Sequence, residues 1–136
     1  MDKPRILIVE DDSAIRDIMK KILSMYFECR ISKAGSGRQA LEFLKKEAFD
    51  LILLDINMPG ISGMDILKKT KETYPETDII VISGWDSQSI ASEALEKGAS
   101  DYIPKPPNVT VIHDKVCEIL KKRNKCFPKN PKTNIA

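Results

Sequence analysis

Aliphatic residues fall in three short unbroken runs, and each run ends abruptly in polar side chains. The runs cover residues 6–9, directly after Arg5, and residues 51–54 and 79–82. A short aliphatic run bounded by turn residues is typical of a strand buried on both faces, as in the middle of a parallel sheet. The pattern therefore predicts three buried strands, with the run ending at Asp55 in the central position.

Between these strands, apolar residues recur at the i, i+3, i+4, i+7 spacing of a helix with one buried face. Two shorter mixed stretches, residues 28–34 and 101–103, are predicted as further strands. Five helices are predicted, and residues that favour helix ends mark their boundaries. These are Ser13, Ser36, Ser87 and Asn108 as N-caps, Pro75 after the third helix and Gly98 after the fourth.

Strands that alternate with helices at this spacing indicate right-handed βαβ units. The predicted fold class is α/β: a single doubly wound (βα)5 domain whose five-stranded parallel sheet carries helices on both faces. From residue 123 the chain loses its apolar period and collects Lys, Asn and Pro. We expect a folded domain over residues 1–122 and a C-terminal tail or the start of a linker over residues 123–136.

The composition of the chain limits the classes of protein to which it can belong. The chain has 136 residues, enough for one domain, and its 22 basic and 20 acidic side chains leave a net charge of +2. This balance favours neither direct nucleic-acid binding nor an anionic membrane surface. Its 3 cysteines lack CxxC spacing, and no apolar stretch approaches the ~20 residues of a membrane span. We expect reduced thiols and a cytoplasmic protein.

Acidic side chains follow the first and central strands. Glu10 and Asp11 come after residue 9, and Asp55 closes the central run. Carboxylates ~4 Å apart repel by about 4 kcal/mol at an effective dielectric of 20, so a cation is expected among them. Mg²⁺ fits such a site, with Mn²⁺ as an alternative. Ser83 and Lys105 follow the fourth and fifth strands, and the set suits phosphoryl transfer onto Asp55 as an acyl phosphate. Asp12 is assigned to the turn.

The motifs at these strand ends resemble a response-regulator receiver domain of two-component signalling, the CheY-like superfamily, over residues ~4 to ~122. They are residues 6–11, residues 53–55, residues 57–60 with Gly63, Ser83, and Lys105-Pro106. The resemblance implies the strand order 2-1-3-4-5. It also implies a cis Lys105–Pro106 peptide bond.

The resemblance further implies a role for each site residue. Asp55 accepts a phosphoryl group from a sensor histidine kinase, and Ser83 and Lys105 hold the phosphoryl oxygens. Asp11, Asp55 and the Asn57 carbonyl bind Mg²⁺, with Glu10 acting through water. Tyr102 is the switch aromatic, and Asn57 and Trp85 flank the path of the water that hydrolyses the acyl phosphate.

The implied function is a phosphorylation-dependent switch, not an enzyme acting on other molecules, whose helix 4, strand 5 and helix 5 surface controls a downstream effector. It would act as a monomer or as a phosphorylation-dependent dimer. Several alternatives stay open: a phosphorelay intermediate that passes phosphate to a histidine phosphotransfer protein, an aspartyl-phosphate hydrolase, a flavin-binding protein or an interaction module without phosphorylation. A hydrolase would place a second Asp two residues after the nucleophile, where this chain has Asn57.

Overall fold

The computed structural model describes residues 2–84 and 87–129, which form five strands and five helices in strict alternation. The strands form one parallel sheet in the order β2-β1-β3-β4-β5. The α/β doubly wound fold expected from the sequence is confirmed. The elements are β1 Arg5–Val9, α1 Ser13–Tyr26, β2 Arg30–Ala34, α2 Gly37–Lys46, β3 Leu51–Asp55, α3 Gly63–Thr73, β4 Asp78–Ser83, α4 Ser87–Glu96, β5 Asp101–Pro104 and α5 Val109–Lys122.

Strand β3 lies at the centre of the sheet, and all five of its residues are buried. It pairs with β1 on one side, where Leu7 lies opposite Ile52, and with β4 on the other, where Asp55 lies opposite Ile82. Strand β4 is equally buried along its length. Parallel strands covered on both faces need continuous aliphatic sequences, which explains why these two runs lack polar interruptions.

The core consists of two layers, one on each face of the sheet. Alternate strand side chains point to opposite faces, so Leu7 and Val9 join the layer under α2, α3 and α4. Ile6 and Ile8 join the layer under α1 and α5. Each helix covers the sheet with its apolar stripe, and the strand ends remain available for polar side chains.

The N-cap residues predicted from the sequence are confirmed for two helices and wrong for one. Ser36 accepts a hydrogen bond from the Gln39 N–H, and Asn108 caps α5 in the same way. The cap of α1 is Asp12, which accepts from Ala14 and Ile15, so the assignment of Ser13 was wrong. A carboxylate placed one residue earlier reaches both free N–H groups, and Ser13 becomes the first helical residue.

The ends of the other helices agree with the sequence. Helix α3 stops at Thr73, two residues before Pro75. Gly98 follows α4 with a φ of +108°, a conformation that favours glycine. The residue that precedes Ser87 lies outside the described parts of the chain, so the predicted cap of α4 cannot be compared. The Lys105–Pro106 peptide bond is cis, as expected from the resemblance.

Residues 123–129, which we name the C-terminal segment, fold back onto the end of the sheet where the strands begin. The Glu28 N–H donates to the Phe127 carbonyl at 2.8 Å, and Phe27 pairs with Pro128 in an antiparallel bridge. Strand β2 consequently begins at Arg30 and not at residue 28, because residues 27 and 28 pair with this segment. The domain boundary at residue 122 stays a prediction, although the next seven residues pack against the domain.

Within the described residues, none of the helices has both the length and the apolar character needed to cross a membrane.

Candidate phosphoacceptor site

Backbone hydrogen bonds beyond the strand ends fix the positions of the candidate site residues. The Glu10 N–H donates to the Ala34 carbonyl at 3.0 Å, and the Lys105 N–H donates to the Ser83 carbonyl at 2.9 Å. The N–H of Ile56, just after Asp55, donates to the Ile82 carbonyl at 3.0 Å. The ladder therefore extends past the regular strands and aligns their carboxyl ends at one edge, where ligands bind in open α/β sheets.

Three carboxylates meet at this edge. Glu10, Asp11 and Asp55 each offer an oxygen, and these atoms all lie within 4.8 Å of one another. Glu10 and Asp55 are fully buried, whereas Asp11 is exposed. The structure thus brings together the three predicted acids. Their arrangement is suited to a cation that is held from the protein side and open to solvent on the other.

Lys105 supplies the positive charge nearest to the two buried acids. Its Nζ lies 3.2 Å from Glu10 Oε1 and 3.1 Å from Asp55 Oδ2. Among the described residues, these same two oxygens are the buried side-chain atoms that lack a well-formed hydrogen bond. One ammonium therefore balances two buried carboxylates incompletely. Oxygen atoms with unused acceptor capacity are what a hard cation such as Mg²⁺ needs, so the residues present fit such an ion.

The charge imbalance changes the proton affinity of these side chains. Burial, followed by the smaller effect of Asp55, raises the pKa of Glu10 to about 7, although hydrogen bonding to Asp12 N–H and the Lys105 charge oppose the rise. Burial acts to lower the pKa of Lys105, but hydrogen bonding and attraction to Asp55 and Glu10 outweigh it and raise this pKa. Lys105 therefore stays protonated beside the acids.

A polar chain leads from Asp55 to strand β5. The Asn57 N–H donates to Asp55 Oδ1 at 2.9 Å, and the Ser83 hydroxyl donates to Asn57 Oδ1 at 2.8 Å. The Tyr102 hydroxyl in turn donates to the Ser83 carbonyl at 3.2 Å. The structure therefore brings Asn57, Ser83 and Tyr102 together with the acids. A change at the oxygens of Asp55 can reach β5 through the backbone and side-chain hydrogen bonds of three residues.

Gly63 allows helix α3 to begin directly against the chain that follows β3. A Cβ atom at this position would lie 2.6 Å from Ile56 Cα and 2.7 Å from the Asp55 carbonyl oxygen. Both neighbours are backbone atoms that cannot rotate away. The glycine is therefore required for the close packing that holds Asp55 in position.

Two residues remain in the comparison with the sequence-based prediction of the site: Trp85 was predicted but lies outside the described residues, and Arg16 was not predicted. Arg16, on α1, was missed by the sequence analysis: its Nη1 donates to the Glu10 carbonyl at 2.8 Å. Its spacing from Glu10 matches no motif, so only the path of α1 over the end of β1 brings the two residues together.

Comparison with known protein families gives a match to the response regulator receiver domain over residues 6–117. The chain belongs to this family. A CheY-like receiver domain protein from Methanospirillum hungatei JF-1 has a similar structure, with a TM-score of 0.84 and 33% identity, covering 91% of this chain and 98% of that one. The receiver domain assignment therefore rests on both sequence and fold.

Curated relatives extend well beyond this receiver domain. The cyclic di-GMP phosphodiesterase of Thermotoga maritima is 32% identical over 118 residues, which cover 87% of this chain and 31% of the relative. The response regulator protein PilR of Pseudomonas aeruginosa is 32% identical over 125 residues, 91% of this chain and 28% of the relative. The chain thus spans about a third of the length of these two proteins.

Proposed function

We propose that this receiver domain is a signalling switch that accepts a phosphoryl group on Asp55 from a sensor histidine kinase. The observation that carries the proposal is the buried Asp55 carboxylate, 3.1 Å from Lys105 Nζ and part of the three-acid cluster. On the residues' own chemistry, an Asp55 oxygen attacks phosphorus and the phosphorus–nitrogen bond of the phosphohistidine breaks. The electron pair returns to the imidazole nitrogen, which takes up a proton from solvent, and Asp55 becomes an acyl phosphate.

The surrounding residues have distinct roles in this proposal. Glu10, Asp11, Asp55 and the Asn57 carbonyl would hold Mg²⁺, which, when bound, neutralises charge on the transferring phosphoryl group. Lys105 exchanges its contact with Asp55 for one to a phosphoryl oxygen, keeping its positive charge beside the new anion. The Ser83 hydroxyl leaves Asn57 Oδ1 and donates to another phosphoryl oxygen.

The output would follow from the movement of Ser83. Because the Tyr102 hydroxyl bonds the Ser83 carbonyl, a shift of Ser83 toward the phosphoryl group changes the position that suits Tyr102. Strand β5 lies between α4 and α5, so these three elements form the surface that changes. We propose that this surface controls a downstream effector, as a monomer or through a phosphorylation-dependent dimer.

We also propose that two side chains, Asn57 and Trp85, control the lifetime of the acyl phosphate. Asn57 is exposed and two residues beyond Asp55, where it can orient water. From the family resemblance, Trp85 would stand beside the same path and exclude water. We therefore expect Trp85→Ala and Trp85→Glu to shorten the lifetime, since ~1.4 kcal/mol in the transition state corresponds to a tenfold change in rate. First-order decay of labelled protein measures it, and equal or slower decay in both variants would remove Trp85 from the hydrolytic step.

Transfer of radiolabelled phosphate tests the function directly. Acetyl phosphate or a phosphohistidine donor is supplied with Mg²⁺ to wild type, Asp55→Asn and the control Asp65→Asn. Asp65 is an exposed carboxylate in the first turn of α3, so its removal leaves the site intact. We expect wild type and Asp65→Asn to carry an acid-stable label and Asp55→Asn to carry none. Equal labelling of Asp55→Asn would refute the proposal, and turnover of free phosphate monoesters would favour a hydrolase.

A further inference from the structure

The end of helix α5 reverses the chain sharply. Asn124 has a φ of +59°, a left-handed conformation that asparagine tolerates after a helix. The Lys125 N–H donates back to the Leu120 carbonyl at 2.8 Å, which closes the turn. The C-terminal segment therefore runs back beside α5 and does not continue away from it.

This reversal brings two cysteines together. The sulfur of Cys126, in the C-terminal segment, lies 4.0 Å from the sulfur of Cys117 on α5. Both residues are partly exposed, both are free thiols, and both pack against the core layer under α1 and α5. Closing the sulfurs to a disulfide bond length of about 2.05 Å requires an approach of about 2 Å.

The C-terminal segment holds Cys126 in this position from its other side. The Lys129 N–H donates to the Tyr26 carbonyl at 3.0 Å, and Glu28 bonds to Phe127. Arg123 anchors the start of the segment, donating to Asp78 at 2.9 Å and to the Glu76 carbonyl at 2.8 Å. The two thiols are thus kept in contact by the native fold, a condition under which a dithiol oxidises within one molecule.

We infer that Cys117 and Cys126 form an oxidisable dithiol, a modification site for low-molecular-weight disulfides such as glutathione disulfide. One thiolate of the pair attacks the glutathione disulfide, forms a mixed disulfide and releases one glutathione thiolate. The second cysteine loses its proton, attacks the mixed disulfide and releases the second glutathione. In the net reaction the bond of glutathione disulfide is broken and the bond between Cys117 and Cys126 is formed, and the two protein hydrogens and two electrons leave with two glutathione thiols.

The remaining cysteine provides a control within the same chain. The Cys29 sulfur donates to the Phe27 carbonyl at 3.7 Å, and burial raises the pKa of its thiol to about 11. Burial and then the neighbouring Cys117 also raise the pKa of Cys126, which reflects how close the two sulfurs are. Cys29 has no such neighbour among the contacts that the described residues make, so it should stay reduced.

The cross-link would join two parts of the fold that are otherwise held by non-covalent contacts. Helix α5 belongs to the surface that we propose as the output, whereas the C-terminal segment is paired with the chain just after α1. This modification lies away from Asp55, at the opposite end of the sheet from the cluster of Glu10, Asp11 and Asp55. It is therefore a second site, and it does not depend on phosphorylation.

Peptide mapping after equilibration in glutathione buffers tests the inference. The folded protein is incubated at increasing ratios of glutathione disulfide to glutathione, alkylated and digested with trypsin. Four cations separate the two cysteines in sequence, so their peptides stay joined only through a disulfide; they are Lys121, Lys122, Arg123 and Lys125. We expect wild type and Cys29→Ser to lose two thiols each and to yield the 117–126 cross-link. Reduction should restore both thiols.

Cys117→Ser and Cys126→Ser should each lose the cross-link while keeping a cooperative thermal transition. Separate glutathione adducts on Cys117 and Cys126, a bond to Cys29, or disulfides between molecules would overturn the inference. So would a cross-link that forms in urea but not in the native protein, because proximity in the fold would then have no part in it. Labelling of Asp55 is measured separately, so failure here leaves the phosphoacceptor proposal untouched.

Discussion

Glu10 and Asp55 share one cation, and this imbalance decides how substitutions at the site act. Both carboxylates are fully buried, and each has an oxygen whose main neighbour is Lys105 Nζ. Repulsion between buried like charges raises the free energy of the folded state. Removing an acid and removing the lysine should therefore have opposite effects on stability, which separates a functional site from an ordinary structural ion pair.

We expect Asp55→Asn to increase the free energy of unfolding by about 1 kcal/mol without metal, a rise of about 4 °C in Tm for a domain of this size. The amide preserves the shape of the side chain and removes one negative charge, and Lys105 remains paired with Glu10. Thermal melting without Mg²⁺ measures the change, with Asp65→Asn as the control. A lower Tm for Asp55→Asn than for Asp65→Asn would show that the three charges are already balanced.

We expect millimolar Mg²⁺ to raise the Tm of wild type, because a ligand that binds only the folded state stabilises it by mass action. The same concentration should have little effect on Asp55→Asn, which has lost one of the carboxylates. A titration followed by thermal melting, with sodium chloride at equal ionic strength as the control, measures both. An equal Mg²⁺ effect on wild type and Asp55→Asn would place the ion elsewhere.

Lys105→Met should act in the opposite direction. It keeps most of the side-chain volume but leaves two buried carboxylates facing each other without a cation, which costs about 3 kcal/mol. Urea denaturation at pH 8 without metal should show the loss, and Mg²⁺ should recover part of it. If Lys105→Met were as stable as wild type, the contacts at 3.1 and 3.2 Å would contribute nothing net.

At the scale of elements, the helices differ in how firmly they are held. Helix α5 buries four residues against the sheet, namely Ile112, Val116, Ile119 and Leu120. In α4, by contrast, Ala94 is the one fully buried apolar residue among the side chains described, and Leu95 is 50% exposed. A helix with few buried contacts opens and shifts at low cost. Its position next to β5 makes α4 the element that is easiest for the site to move.

We expect beryllofluoride, which mimics an acyl phosphate, to change amide hydrogen exchange mainly in α4, β5 and α5. The route is the hydrogen-bonded chain from Asp55 through Asn57 and Ser83 to Tyr102. Mass spectrometry of wild type with and without beryllofluoride measures it, and Asp55→Asn serves as the control. Changes confined to α1 would contradict this output surface.

The elements and the site were predictable from the sequence to different degrees. Strands β1, β3 and β4 could be predicted because a sheet covered on both faces requires unbroken aliphatic runs. The polar residues at the ends of these runs are the acids of the site and Ser83. Strand β5 is short and weakly apolar, and the stretch predicted for it, residues 101–103, stops one residue before the observed end at Pro104. Sequence spacing gave no signal for Arg16, because its contact with the Glu10 carbonyl depends on how α1 crosses β1.

At the scale of the whole molecule, the main difference from expectation is the C-terminal segment. Its sequence is rich in Lys, Asn and Pro and has no apolar period, which is typical of a tail. Arg123 is nevertheless bound to Asp50 at 3.2 Å and to Asp78 at 2.9 Å, acids that stand 73 and 45 residues earlier in the chain. Contacts of such sequence separation depend on the finished sheet, so no local pattern could have predicted them.

These contacts make acid stability depend on Arg123. Burial acts to raise the pKa of Asp50, but the Arg5 N–H and the charges of Lys125 and Arg123 outweigh it and lower this pKa below 3.8. Burial also acts to raise the pKa of Asp78, but the hydrogen bond from Ser100 and the charges of Arg123 and Lys122 outweigh it and lower this pKa. Because each folded pKa lies below the unfolded value, the stabilisation is complete above pH ~4 and is lost as pH falls through the folded values.

We therefore expect Arg123→Met to lower the free energy of unfolding by about 2 kcal/mol at pH 7 and to move the acid-unfolding midpoint to higher pH. The reason is that Asp50 and Asp78 stay buried but lose the guanidinium that holds them ionised. Circular dichroism from pH 7 to pH 2 measures the midpoint, and Arg38→Met, on the exposed face of α2, is the control. The difference between wild type and Arg123→Met should shrink below pH ~4, as both acids become protonated. A difference that stayed constant across this range would assign the contribution of Arg123 to packing of its aliphatic stem and not to its charge.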